Sequence, residues 1–338
     1  MSVGDEKIAV IGAGAWGTAL ASHLVRAGYR LMLWAYEEEV AQAINQEHQN
    51  TVFLPGYQLP PQLQATHHLE KALLGARMVV MVVPSHVYRR VLGQAAPHLD
   101  PEAVLVSCSK GIEQDTGFTM CEVAADVLAK EFHRRLCCLS GPSFAKEVVV
   151  GAPTAVTVAS RCPQTARRVQ TAFATDRFRV YTSPDLVGVE LGGAVKNPLA
   201  IAAGMVAGLN LGHNTLCALI TRGLAEMNRL AQARGGQVVT LSGLAGLGDL
   251  VLTCTGEASR NRTVGFRLGR GESIEQITSS MRMVAEGVHN TKTVLALARE
   301  AGVEMPIVEA VYQVIYQGME PLAALDRLMT RQLKAEHA

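Results

Sequence analysis

Charge is scarce in this chain and balanced in sign. Of its 338 residues only 18% are charged, with 31 Lys and Arg against 30 Asp and Glu. No long run of one sign occurs, so the electrostatic footprint of a nucleic-acid binder is missing. The seven cysteines (Cys108, Cys121, Cys137, Cys138, Cys162, Cys217 and Cys254) are odd in number and contain no CxxC pair. Cys137 and Cys138 sit together inside an apolar, strand-like run. This pattern argues against a disulfide framework or a metal site and for buried thiols in a reducing compartment. The start, with Asp5 and Glu6 ahead of a short strand pattern, does not read as a signal peptide. Charge is also absent from Asn197 to Thr221, but Asn197, Pro198, Asn210, His213 and Asn214 interrupt that stretch. A bilayer span needs roughly 20 mostly apolar residues. The expectation is therefore a buried core helix, no membrane span, and a soluble cytoplasmic protein.

What the chain does have is apolar surface to bury. Nearly half of it, 49%, is hydrophobic, and its length suits about two domains. Strand-like runs lie at Lys7–Ile11, Arg30–Trp34, Met78–Val83, Val104–Val106, Cys137–Leu139 and Thr154–Val158. MVVMVV at 78–83 is continuous, as expected of a parallel strand covered on both faces. Helix-length segments separate the strands, including Ala15–Ala27 and Glu37–Glu47. The alternation implies an α/β fold with a Rossmann-like doubly wound parallel sheet. Near Asp185 the pattern changes to helical periodicity, with helices over Asp185–Leu209, Asn214–Arg234, Ser273–Met281, Thr291–Ala301 and Ile307–Gly318. A dinucleotide-binding domain over 1–188 and an all-helical domain over 189–338 follow.

The run IAVIGAGAWGTALA fits G-x-G-x-x-G between a strand and a helix. Gly12 permits the tight turn, Gly14 lets backbone approach a pyrophosphate, and Gly17 allows close helix–strand packing. The helix N-terminus then offers free N–H groups and a partial positive charge. The second strand runs through Trp34, Ala35 and Tyr36 into Glu37, Glu38 and Glu39, while Arg30 stands at its far end. The three glutamates read as a solvated first helical turn, and the choice between NAD and NADP stays open.

Lys196, in GGAVKNPLAIAAG, is the one cation of a long neutral stretch. Either burial lowers its pKa toward the range of a general acid/base, or it snorkels to the surface from a helix end. Lys110, in VLVSCSKGI, directly follows a strand, at the sheet edge where ligands bind in this fold; a surface lysine is the bland reading. Asp249 stands among close glycines in GLAGLGDLVLTC, an irregular loop by its composition. It could pair with Lys196 or Lys110, or cap a helix. Ser259, Arg260, Asn261 and Arg262 offer a guanidinium fork, an amide and a hydroxyl, a set suited to a phosphate dianion or to an exposed turn.

Taken in order, GAGAWGTALA, VVPSHV, SKGIE, SGPSFAKE, ELGGAVKN, GLAGLGDLVLTC, SRNR and EGVHNT resemble the NAD(P)-dependent sn-glycerol-3-phosphate dehydrogenases of the bacterial type. The resemblance runs from about Ile8 to Pro306. It implies reversible reduction of dihydroxyacetone phosphate to sn-glycerol 3-phosphate for phospholipid synthesis, NAD(P) as cofactor, and a homodimer. It implies Lys196 as proton donor and acceptor at the C2 oxygen, and Lys110 in contact with substrate and cofactor. Gly141, Ser143, Asp249, Ser259, Arg260 and Asn261 match substrate-site positions. Ala15, Trp16, Tyr36, Ala145, Arg260, Val284 and Glu286 match cofactor contacts. Many members carry Ser where this chain has Ala15, which leaves that contact to the backbone N–H. A hydroxyacid or 6-phosphogluconate type of dehydrogenase shares the two-domain plan and a catalytic Lys followed by Asn, but GLGDLVLTC and SRNR argue against it. A non-catalytic dinucleotide sensor would not need Lys110, Lys196 and Asp249 together.

Overall fold

A computed structural model describes residues 6–281, 285–333 and 335–336. The first part alternates strands and helices: β1 (Lys7–Ile11), α1 (Ala15–Arg26), β2 (Arg30–Trp34), α2 (Glu38–Glu47), β3 (Gln64–Thr66), α3 (Leu69–Leu73), β4 (Met78–Met81), α4 (Ser85–Ala95), β5 (Val104–Ser107), α5 (Met120–Val127), β6 (Leu136–Ser140), α6 (Ala145–Val149), β7 (Thr154–Ala159), α7 (Pro163–Phe173) and β8 (Phe178–Ser183). The eight strands form one sheet in the order β3-β2-β1-β4-β5-β6-β7-β8. The order reverses between β1 and β4, which pair in parallel with Ile8 opposite Met78. That reversal is the topological switch point, where ligands of doubly wound sheets bind.

The sheet departs from the expected all-parallel arrangement at one place. β7 runs antiparallel to β6, with Cys138 opposite Ala159, while β8 is parallel to β7. The connection from β6 to β7 carries only the five-residue α6, which rises about 7.5 Å and cannot return along the roughly 20 Å of a six-residue strand as a parallel crossover must. β3 and β8 add to the strands legible in the sequence. β3 has three residues, too short to show a period. β8, FRVYTS, alternates buried Phe178 and Val180 with exposed positions, as a half-covered edge strand does.

Every residue of MVVM in β4 is buried, because helices cover both faces. Ile8 and Val10 join α1 and α2 in one core, whereas Ala9 and Ile11 join α3, α4 and α5 in the other. This is the period-2 alternation of a strand sandwiched between two layers.

From Leu186 onward the described residues are helical: α8 (Leu186–Gly208), α9 (Gly212–Ala233), α10 (Val238–Leu241), a π-helical turn (Leu244–Gly248), α11 (Asp249–Thr255), α12 (Arg260–Gly269), α13 (Ile274–Ser280), α14 (Glu286–Glu300), α15 (Pro306–Gln317) and α16 (Pro321–Met329). Asp185 caps α8, accepting from Gly188 N at 2.9 Å and Gln237 N at 2.8 Å. By length and composition α8 could cross a bilayer, but 94% of its apolar window is buried inside the fold. It is the central helix of the second core, surrounded by α9, α11, α12 and α14. Its contact with α12 is closest: a Cβ on Gly265 would stand 1.8 Å from the carbonyl oxygen of Ile201. Only glycine permits that approach, which fixes the start of α12 relative to Lys196. The segment before Asp249 is thus an ordered π-helical turn rather than an irregular loop.

Candidate active site

The glycine turn supplies one wall of a cleft of about 560 Å³. Gly12 has φ of +117°, and a Cβ there would lie 2.8 Å from the carbonyl oxygen of Val82. A Cβ on Gly17 would lie 1.8 Å from the carbonyl oxygen of Gly12, so the turn and the first turn of α1 touch backbone to backbone. At Gly14 a Cβ would meet nothing within 4 Å. The space beside Gly14 is therefore open, as a closely approaching ligand requires. Gly14 N-caps α1 without a side-chain cap, which leaves first-turn N–H groups for a ligand. From behind, buried Asn50 donates to the Ala13 carbonyl and to Thr18 Oγ1, both at 2.8 Å.

The cleft runs along the carboxyl ends of the strands. Ala15, Trp16, Trp34, Tyr36 and Glu37 line it on one side of the switch point, and Ser109, Lys110, Ser143, Arg260 and Glu286 on the other. Tyr36 is 70% exposed at the lip. Glu286, first residue of α14, accepts from Ser85 N at 3.4 Å, and burial raises its carboxyl pKa against the opposing pull of Arg260. Arg260 opens α12 with Ser259 as its N-cap, Ser259 Oγ accepting from Arg262 N at 3.2 Å. Ala145 opens α6 and packs against the sheet core. Val284 lies outside the described residues.

Behind Lys110, which lines the cleft, three charged side chains from three elements meet. Lys196, on α8, is buried, as is Asp249. Its Nζ lies 3.1 Å from Asp249 Oδ1 and donates to Thr253 Oγ1 at 2.6 Å. Lys110, from the loop after β5, donates to Asp249 Oδ2 at 2.6 Å and to the Gly141 carbonyl at 3.3 Å. One carboxylate thus bridges two ammonium groups and leaves one net positive charge. Desolvation is the largest influence on Lys196 and lowers its pKa; Lys110 lowers it further, and Asp249 opposes both. Of the two readings of Lys196, snorkelling is excluded by its burial.

Thr253 is a member of this cluster that the residue reading passed over. It stands one helical turn after Asp249, so DLVLT places both on one face of α11. Its hydroxyl donates to the Asp249 main-chain carbonyl at 2.6 Å, leaving a lone pair for Lys196. Gly141 contributes its carbonyl, which also accepts from Ser143 Oγ at 3.0 Å. Asn261 is also tied within the protein. Its amide donates to Asn197 Oδ1 at 3.0 Å and accepts from Gly287 N at 2.9 Å, joining α12 to α8 and α14. The amide oxygen and one N–H are thus engaged within the protein.

Profiles described as the N-terminus and the C-terminus of NAD-dependent glycerol-3-phosphate dehydrogenase match residues 7–166 and 185–326. A protein from Citrifermentans bemidjiense named glycerol-3-phosphate dehydrogenase [NAD(P)+] is 54% identical over 331 residues, covering 98% of this chain and 99% of the relative. A protein of the same name from Geobacter sulfurreducens is 55% identical over 332 residues, with the same coverage. The crystal structure of glycerol-3-phosphate dehydrogenase from Coxiella burnetii is 40% identical and superposes with a TM-score of 0.92 over 96% of this chain and 99% of that one. A glycine turn open at Gly14, a buried lysine on α8, and matches that span both halves lead to one conclusion: the chain belongs to the NAD-dependent glycerol-3-phosphate dehydrogenase family.

Proposed function

We propose that this protein reduces dihydroxyacetone phosphate to sn-glycerol 3-phosphate, reversibly, with Lys196 as general acid/base, and so supplies the glycerol phosphate backbone of phospholipids. The carrying observation is the Lys196–Asp249–Lys110 cluster, which reaches through Lys110 into a cleft whose other wall is the open glycine turn. The family membership supports the same reaction. When bound, the reduced nicotinamide supplies the hydride for C2 of the substrate. The chain's residues hold the rest in place. Gly12, Gly14, Ala15, Trp16 and Gly17 hold the pyrophosphate, and Tyr36, Ala145, Arg260, Val284 and Glu286 contact the cofactor.

As the carbonyl becomes an alkoxide, negative charge builds on its oxygen. Lys196 has three N–H groups: one goes to Thr253, one faces Asp249, and one is left for that oxygen. The ammonium stabilises the developing charge and donates its proton, and burial favours the neutral amine left behind. Lys110 adds positive field and, with Gly141, Ser143 and Ser259, frames the substrate. Asp249 keeps both lysines in register. Arg260 grips the phosphate arm, so binding energy remote from C2 orients the reacting carbon. Asn261 serves the substrate site through its ties to Asn197 and Gly287, with its remaining N–H available to the phosphate.

Residues 1–188 thus hold the nucleotide and 189–338 carry most of the substrate site, Lys110, Gly141 and Ser143 crossing over from the sheet. The enzyme is a cytoplasmic homodimer in this reading; free thiols, most of them buried, suit a reducing compartment. The test is a steady-state assay of dihydroxyacetone phosphate reduction, run in parallel with NADH and NADPH. Turnover of a hydroxyacid in preference to glycerol 3-phosphate, or of neither, would refute the assignment.

A further inference from the structure

At the outer end of the cleft, two oppositely charged side chains face the cavity. Glu37 N-caps α2 at the end of β2 and lines the cleft, whereas Glu38 and Glu39 point to solvent. Arg90, on α4, lines the cleft as well. Its neighbour Arg89 is consumed by Glu113 at 2.9 Å and Asp126 at 2.5 Å. Among the described residues neither the Glu37 carboxylate nor the Arg90 guanidinium has a side-chain hydrogen bond or ion pair, and the two do not pair with each other. Val91, the next residue, belongs to the same core cluster as Trp34 at the end of β2, and Trp34, Glu37, Arg90 and Val91 all line the one cavity.

The end of the second strand is where a doubly wound fold meets the adenosine ribose. An acidic side chain there accepts from a free 2′-hydroxyl, and an arginine nearby accommodates a 2′-phosphate. This chain presents both. We propose that Glu37 and Arg90 form a two-way selector at the ribose 2′ position: Glu37 receives the 2′-hydroxyl of NAD(H), and Arg90 pairs with the 2′-phosphate of NADP(H). Dual use of cofactor then arises from two separated charges rather than from an indifferent pocket. Tyr36, directly before Glu37 and neutral, is a stacking surface and not the discriminator. The inference rests on the nucleotide-binding reading above.

The chain carries its own reporter. It has two tryptophans, Trp16 and Trp34, and both line the cleft, so quenching of intrinsic fluorescence measures dinucleotide binding without turnover. In Arg90→Gln the Kd for NADPH should rise about tenfold or more, as loss of a charge-assisted pair predicts, while the Kd for NADH stays within about twofold. The wild-type affinity for NADPH should fall with added salt more steeply than that for NADH, and Arg90→Gln should remove the difference. In Glu37→Gln the Kd for NADH should rise by a few fold, as a weakened hydrogen bond predicts, and that for NADPH should fall. An NADPH Kd in Arg90→Gln within twofold of wild type would overturn the selector, and so would equal losses for both cofactors. If neither dinucleotide quenches the wild type, it is the nucleotide-binding reading itself that fails.

Discussion

Lys196 Nζ lies 3.1 Å from Asp249 Oδ1, and both side chains are buried. Two buried charges at that separation stabilise each other only when the remaining protons and lone pairs are satisfied, which Thr253 and Lys110 accomplish. Replacing Lys196 by Met removes the cation but leaves Asp249 paired to Lys110 at 2.6 Å, so the fold should survive. Turnover should fall by roughly 10²–10⁴-fold, the usual contribution of a positioned general acid. Quenching of Trp16 and Trp34 by the cofactor should remain. Near-normal turnover in Lys196→Met would sink the role of Lys196.

The pH dependence should differ in sign between the two directions of reaction. Burial and Lys110 lower the pKa of Lys196 below that of ordinary lysine. Reduction needs the ammonium, so its kcat should decline as pH rises through that lowered value. Oxidation needs the free amine and should rise over the same interval. Asp249→Asn removes the group that opposes the lowering, so both transitions should move to lower pH. Profiles of kcat against pH in both directions decide this; transitions that move upward would contradict it.

Two glycines three residues apart should respond in opposite ways to the same methyl group. At Gly17 an added Cβ would overlap the Gly12 carbonyl at 1.8 Å, and the backbone must shift. Gly17→Ala should cost about 1–3 kcal/mol of stability, as overpacking does, seen as a lowered Tm. At Gly14 the methyl meets no protein atom within 4 Å, so Gly14→Ala should keep its Tm. The methyl would stand where the pyrophosphate lies, and cofactor affinity should drop. Equal loss of Tm in both variants would show that Gly14 serves packing.

The contrast also shows what could be read from the residues. The strand–turn–helix at 7–26 is local, and each glycine has its own neighbour to satisfy, so the motif announces itself. Lys196 stood out because an isolated lysine in an apolar run is rare, and its burial confirms that signal. Whether it stays buried or reaches the surface was not local information. It depended on Asp249 and Thr253, 53 and 57 positions on in the sequence, being carried to it by α11. The antiparallel β7 was hidden because strand composition is insensitive to direction. The ties of Asn261 were hidden for a similar reason: an amide beside an arginine suits a phosphate, and nothing local shows that Asn197 and Gly287 also engage it.

Glu226 gives a stability prediction far from the cleft. It is buried on α9 and accepts from Ile307 N at 2.7 Å and Val308 N at 3.3 Å, capping α15 across the second core. Burial pushes its carboxyl from an ordinary 4.5 up to about 7. The folded state therefore binds more protons than the unfolded state between those values. Its contribution is fully present below about pH 4.5 and is lost as pH rises through about 7. Glu226→Gln keeps an acceptor for the two N–H groups and cannot ionise. The variant's Tm should vary less than wild type's between pH 5.5 and pH 8, and at pH 8 it should be at least as high. A variant as pH-sensitive as wild type over that interval would show that Glu226 does not titrate there.

Arg260 carries the substrate's identity in this scheme, since a phosphate arm is what separates dihydroxyacetone phosphate from a neutral ketone. It opens α12 at the cleft wall, and the close glycine contact between α8 and α12 fixes its distance from Lys196. Arg260→Ala should raise the KM for dihydroxyacetone phosphate by about 10- to 100-fold, the range of a charge-assisted hydrogen bond lost. Because remote binding energy also orients C2, kcat should fall by a smaller factor. Dihydroxyacetone, which lacks the phosphate, separates this from general damage. Wild type and Arg260→Ala should turn it over at similar low rates if the guanidinium acts on the phosphate. Arg260→Lys should recover only part of the loss, because an ammonium supplies the charge without the planar fork. A variant equally impaired toward both substrates would leave Arg260 with its cofactor contact alone, and the phosphate would need another partner.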